Sequence, residues 1–202
     1  MSVLPIALHA ADVTVVVVGG GRVATRKAAA FLAAGARVRV VAPAISGELR
    51  EKADVNDRLD LWTRAYGPGD LEGATLVVAA TDDAGVNETV AADARAAGKL
   101  VNRADAAAGG NFSTMAVHRA GDLTVGVVAG VPGAATRVRD VIAQRFDQRY
   151  ADAIEFLVTA RAALLARGEP DGWRALADDV VAQDFCDLVE GGGFQERTTP
   201  WR

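Results

Sequence analysis

The stretch Val13–Lys27, VTVVVVGGGRVATRK, runs from an uncharged β-branched segment through three glycines into a helix-forming segment. Val13 and Val15–Val18 read as a parallel strand buried on both faces, because such a strand carries no polar alternation. Gly19-x-Gly21-x-x-Ala24 then fits the dinucleotide fingerprint. Gly19 permits the tight turn, Gly21 lets the backbone approach a pyrophosphate, and Ala24 allows close helix–strand packing. The following helix aims free N–H groups at the anion. A tight strand–helix turn with no ligand is the alternative reading of the glycines alone.

Strand–helix alternation continues outward from that point. The pattern predicts a helix over Val23–Ala34, a second strand at Val38–Val41 and a helix over Ser46–Ala53. A third strand is expected at Leu59–Trp62 and a fourth at Leu76–Ala80. Helix Asp83–Ala97 and a fifth strand at Leu100–Asn102 follow. Five strands separated by helices imply a Rossmann-type, doubly wound parallel α/β sheet. Ligands in such sheets sit beyond the carboxyl ends of the strands, which here gathers Gly19–Val23, Ala42–Ala44, Thr81–Asp83 and Asn102–Asp105.

After Asp105 the texture changes. Ala106–Gly110 is small and flexible, and Asn111–Val117 and Leu123–Val128 read as two further strands. Val131–Gly133 turns the chain into a long helical stretch, Ala134–Arg167. Gly168-Glu169-Pro170 separates that from a last helix near Trp173–Val189, and residues from Gly191 onward read as a loose tail. The expected organisation is a nucleotide-binding domain over 1–110, central strands over 111–133, a helical region over 134–190 and a tail over 191–202.

Composition bounds the function. The chain has 202 residues, half of them hydrophobic, and a net charge of −4, which argues against nucleic acid as the main partner. No segment reads as a signal peptide or a membrane span, so a soluble, cytoplasmic protein is expected. The lone Cys186 excludes an internal disulfide and a cysteine-rich zinc site. Only three lysines accompany nineteen arginines, whose forks suit carboxylates and phosphates.

Familiar catalytic sets are missing. Tyr66 and Tyr150 are followed four residues on by Asp70 and Ile154, not lysine, and there is no Gly-Lys-Ser/Thr loop. His9 and His118 are too few for a histidine metal cage. No acid ends the second strand, where Val41-Ala42-Pro43 stands, so backbone and packing hold the adenosine end, or NADP binds with Arg22 near its phosphate. Asp105, just beyond the fifth strand, is the remaining candidate base, although an aspartate there is also a common turn former.

The combination of GGGRVATRKAAAFLAAGARVRVVAP, VVAATDDAGVN and VNRAD resembles the siroheme synthase N-terminal family over residues 4–105. The resemblance implies oxidation of precorrin-2 to sirohydrochlorin with NAD, and in many members insertion of ferrous iron. It implies a homodimer intertwined through the central strands and helices, which form a small α+β dimerisation module. It carries the family's catalytic aspartate onto Asp105, and the nucleotide contacts onto Arg22, Val23, Pro43 and Ala44, beside Gly19, Gly21 and Thr81. Asn102 and His118 are candidate substrate contacts, His118 also for a metal.

The chemistry agrees in kind. A carboxylate base near the nicotinamide is sufficient in kind for loss of a hydride and a proton, and iron insertion needs pyrrole protons accepted. The substrate bears eight carboxylates, so Arg137 and Arg139, with Arg145 and Arg149 on the same expected helix, are candidate contacts, although Asp140 and Asp147 dilute the patch. The second half departs from the family: Ala106 replaces the usual proline, and VVAGVPGAATRVRD replaces a Ser/Thr-rich turn. A dehydrogenase without chelatase activity, a non-catalytic nucleotide sensor or tetrapyrrole binder, and a dehydrogenase for an unrelated substrate are the alternatives.

Overall fold

The computed structural model describes residues 3–131 and 133–201. Met1, Ser2 and Arg202, at the ends of the expected first domain and tail, lie outside the described residues, as does Pro132 in the expected turn Val131–Gly133. The chain divides into two compact units, one ending at Thr114 and the other beginning at Met115.

The first unit is built on strands β1 (Thr14–Val18), β2 (Arg37–Val41), β3 (Leu59–Trp62), β4 (Leu76–Ala79) and β5 (Leu100–Arg103). They form a parallel sheet in the order β3-β2-β1-β4-β5. The order reverses between β1 and β4, where a doubly wound sheet opens its ligand crevice. Helices α1 (Arg22–Ala33), α2 (Gly47–Asp54) and α3 (Ala84–Ala96) complete the alternation.

The uncharged run in β1 has its reason in burial on both faces. Val15 and Val17 lie in one core with Ala24 and Ala28 of α1 and Leu49 of α2. Val16 and Val18 lie in the other with Val90, Ala91 and Ala94 of α3. Each of these valines contributes about 1.5 kcal/mol or more by leaving water. Small alanines on α1 let the helix approach the sheet closely. The expected helix ends move by a residue because Ser46 and Asp83 are caps: Ser46 Oγ accepts from Leu49 N at 3.3 Å, and Asp83 Oδ1 accepts from Gly85 N at 2.7 Å.

The second unit opens with an antiparallel hairpin of β6 (Ala116–Ala120) and β7 (Leu123–Val127). The strand expected at Asn111–Val117 is thus displaced toward the C-terminus. Asn111 instead stays beside β5, its backbone N–H donating to Val101 O at 2.8 Å and its Oδ1 accepting from Val101 N at 2.7 Å.

The expected long helix is two, α4 (Ala134–Arg145) and α5 (Gln148–Ala166). Asp147 breaks it by capping α5, its carboxylate accepting from Arg149 N at 3.0 Å. The expected last helix is also two, α6 (Pro170–Val180) and α7 (Phe185–Gly191). Asp184 lies in the break between them, where it pairs with Arg197 at 3.1 Å. The stretch read as a loose tail carries α8 (Gly193–Thr198), in which Phe194 and Thr198 are buried. Phe194 packs into the core of this unit with Tyr150, Leu157, Leu176 and Val189. Among the described residues, no helix is long and apolar enough to cross a membrane.

Candidate functional site

The glycine bend is shaped by two close approaches. Gly19 continues the β1 ladder, its N–H donating to Val41 O at 2.9 Å, and then turns with φ +126°. A Cβ there would lie 2.3 Å from Ala80 O, so the chain between β1 and α1 is pressed against the end of β4. At Gly20 a Cβ would lie 2.0 Å from Ala44 O, which brings the segment after β2 against the bend. Ser46 N donates to Gly20 O at 3.0 Å, and Thr25 Oγ1 lies 3.0 Å from Ser46 Oγ, locking that segment to α1.

Gly21 is different. A Cβ there would meet nothing within 4 Å, and the residue gives α1 no side-chain cap. Open space therefore adjoins the uncapped first turn of α1, where N–H groups and the helix dipole favour an anion. Arg22 and Val23, expected to contact nucleotide, are exposed on that turn. Pro43 and Ala44 are exposed on the adjoining segment, so that face also fits a dinucleotide.

The fourth strand ends in a polar lock. Thr81 N donates to Asn87 Oδ1 at 3.0 Å, Asn87 Nδ2 donates to Thr81 O at 3.1 Å, and Thr81 Oγ1 lies 2.8 Å from Asn87 Oδ1. The Thr81 hydroxyl, expected to line the cofactor, is thereby engaged within the protein. Asn87 ends the motif VVAATDDAGVN, which by itself gives the residue no role. Its signal is an amide on the apolar stripe of α3, in step with Val90, Ala91 and Ala94, all buried.

Asp105 follows β5, whose end is tied to β4 by Ala104 N donating to Ala79 O at 2.9 Å. Its carboxylate accepts from Arg103 Nη2 at 2.8 Å and from Arg103 Nε at 3.1 Å. The Arg103 bonds, with a smaller contribution from Asn87, hold its pKa down at about 2. Asp105 is therefore ionised and, with its side chain 29% exposed, accessible. Asn102, expected to touch substrate, is buried; its Nδ2 donates to Phe112 O at 3.0 Å, and its Oδ1 has no protein partner among the described residues.

The remaining candidates belong to the second unit. His118 Nε2 is paired with the Phe146 carbonyl. Arg139 is paired with Asp140 at 2.7 Å, and Arg137 is exposed. The arginines do not share one helix side, because Arg149 stands on α5, beyond the break, and pairs with Asp147 at 2.9 Å.

A parallel sheet with its switch point between β1 and β4, a glycine bend open at Gly21 and an acid at the end of β5 define a dinucleotide-binding domain of Rossmann type. The family profile described as "Putative NAD(P)-binding" matches residues 6–116. The chain belongs to that NAD(P)-binding family, and within it is similar to siroheme synthases and to a precorrin-2 dehydrogenase.

The siroheme synthase of Chromobacterium violaceum is 38% identical over 195 residues, 95% of this chain and 41% of that one. That of Ectopseudomonas mendocina is 49% identical over 94 residues, 46% of this chain and 20% of that one. The chain spans less than half the length of these curated relatives. Among solved structures, "SirC, precorrin-2 dehydrogenase" superposes with a TM-score of 0.72 at 25% identity, over 96% of this chain and 98% of that one.

Proposed function

We propose that the chain oxidises precorrin-2 to sirohydrochlorin, passing a hydride to NAD and a proton to Asp105. The observation that carries this reading is an ionised, accessible carboxylate at the end of β5, in the same sheet that holds the open glycine bend after β1. Similarity to SirC over nearly its whole length supports the choice of substrate.

NAD supplies, when bound, the two-electron acceptor. Gly21, Arg22 and Val23 would hold its pyrophosphate at the α1 turn, and Pro43 and Ala44 would flank the adenosine end through backbone groups. Gly19 and Gly20 keep that face closed against the sheet, so side chains do not occupy the anion's space. Asp105, already deprotonated, takes the proton released as the macrocycle loses its hydride. The products are sirohydrochlorin, NADH and a proton returned to solvent, which balances the two hydrogens removed.

We place the reaction in the cytoplasm and in a homodimer formed through the second unit. Helix α4 has no buried residue, and Val138 and Val141 on it are 50% and 67% exposed. Val128 and Val131 are exposed as well. A second copy covering these side chains would remove that apolar surface from water. Arg137, Arg139, His118 and Asn102 remain the proposed substrate contacts.

The test is incubation of the purified chain with NAD and precorrin-2. One NADH per sirohydrochlorin is expected. Nucleotide binding without NADH formation would instead favour a non-catalytic sensor. Adding Fe2+ after completion tests the second activity implied by the resemblance, iron insertion.

A further inference from the structure

The motif Val101-Asn102-Arg103-Ala104-Asp105 contains a cation that the mechanism above leaves unused. Arg103 grips the Asp105 carboxylate at both oxygens, through Nη2 at 2.8 Å and Nε at 3.1 Å. Its Nη1 donates in the opposite sense to Glu88 Oε2 on α3. The arginine side chain is only 9% exposed, against 63% for Glu88. A Cβ on Gly109 would lie 2.6 Å from Arg103 Cδ, so the single-turn helix Ala107–Gly109 pins the stem as well. Arg95, also on α3, closes the arrangement by donating to Gly109 O.

We propose that Arg103 is the positioning residue of this active site, fixing the Asp105 carboxylate in one orientation as the proton acceptor. The planar guanidinium matches a carboxylate at two points, which a lysine cannot do. Glu88 holds the far side of the fork, so the pair is braced between β5 and α3 rather than free to swing. Arg103 takes one lone pair from each Asp105 oxygen, and the accessible carboxylate still has acceptor capacity for the substrate proton. The low basicity that pairing imposes is offset by pre-orientation, since a base misplaced by about 1 Å can lose about 100-fold in rate. This inference rests on the dehydrogenase reading and assigns a role within it.

Three variants test it: Arg103→Met, Arg103→Lys and Gly109→Ala. The last pushes the fork aside without changing any charge. The Asp105 carboxyl is titrated by 13C NMR without nucleotide or substrate, NAD affinity is measured, and kcat and KM are obtained with precorrin-2. Arg103→Met is expected to move the Asp105 pKa up toward the ordinary value of about 4. Its kcat should fall about tenfold or more while the Kd and KM for NAD stay within about twofold. Arg103→Lys should be intermediate, and Gly109→Ala should lower kcat in the same direction.

An unmoved Asp105 titration in folded Arg103→Met, or unchanged kcat in both Arg103→Met and Gly109→Ala, would overturn the proposal. Failure of the dehydrogenase reading has a separate signature, namely no turnover by the unaltered chain. In that case the substrate-free titration still decides whether Arg103 governs Asp105. If Arg103→Met does not fold, the same titration on Gly109→Ala decides it.

Discussion

A Cβ on Gly20 would stand 2.0 Å from the carbonyl oxygen of Ala44, whereas one on the next glycine would stand in open space. Adjacent glycines thus serve different ends. Gly20 admits the backbone that follows β2, and Gly21 leaves room for a ligand. Gly20→Ala must displace the 43–45 segment, so both thermal stability and NAD affinity are expected to fall. Gly21 has φ −88°, which alanine adopts without strain. Gly21→Ala is therefore expected to keep Tm within about 2 °C while weakening NAD about tenfold or more. Melting curves and nucleotide titrations on the two variants check the contrast; equal NAD affinity in Gly21→Ala and the unaltered chain would contradict it.

Asp83 caps α3 through two backbone donors, Gly85 N at 2.7 Å and Val86 N at 3.1 Å. Asp83→Ala is expected to cost about 1 kcal/mol of stability, the usual loss of a helix cap. For a chain of this size that corresponds to about 2–4 °C in Tm. Asp83→Asn, which keeps an acceptor oxygen, should recover most of it. Paired melting curves read the difference.

The pH dependence of Asp105 has a definite sign. Arg103 lowers its folded pKa to about 2, below the ordinary unfolded value of about 3.9. The pair's contribution to stability is therefore complete above about pH 4 and disappears as pH falls toward about 2. Across the neutral range the carboxylate stays charged. The pH profile of kcat/KM is expected to show no acid limb from Asp105 above about pH 4. A limb near pH 6 that vanishes in Asp105→Asn, against about 4 or lower here, would contradict the assignment.

Val141 is 67% exposed on α4, a helix with no buried residue. If a second copy covers it, a charge there must be desolvated on assembly. Val141→Glu is expected to shift the chain from dimer to monomer at micromolar concentration, with the fold retained. Light scattering after size exclusion, with circular dichroism as control, measures this directly. A monomeric unaltered chain would remove the dimer from the account.

Much of the first unit was legible because its signals are local. Val15–Val18 form an uncharged run, and both of their faces are buried. Leu59–Trp62 is a strand where its apolar residues suggested one. Boundaries slipped by a residue where a cap stood, as at Ser46 and Asp83, since capping side chains look like first-turn residues. The second unit was less legible. Its helix breaks at Asp147 and Asp184 depend on side-chain bonds, and α8 forms where Phe194 finds a core that no short window of sequence displays.

The site shows the same division. Gly19, Gly21 and Asp105 could be placed by motif and strand order, because each answers to a backbone requirement. Gly20 occupies a variable position of the fingerprint, and only the approach of Ala44 gives it a reason. Arg103 stood in plain view in VNRAD, but its second partner, Glu88, lies fifteen residues earlier and on another element. Long-range pairing of this kind carries no periodic signal.

The most direct measurement is NADH formation from precorrin-2 by the unaltered chain and by Asp105→Ala, with NAD affinity determined for both. The unaltered chain should release one NADH per sirohydrochlorin, and Asp105→Ala should lose turnover about 100-fold or more while its Kd for NAD stays within about twofold. Equal turnover by the two proteins would remove Asp105 from the chemistry, and absence of NADH from both would remove the oxidation itself.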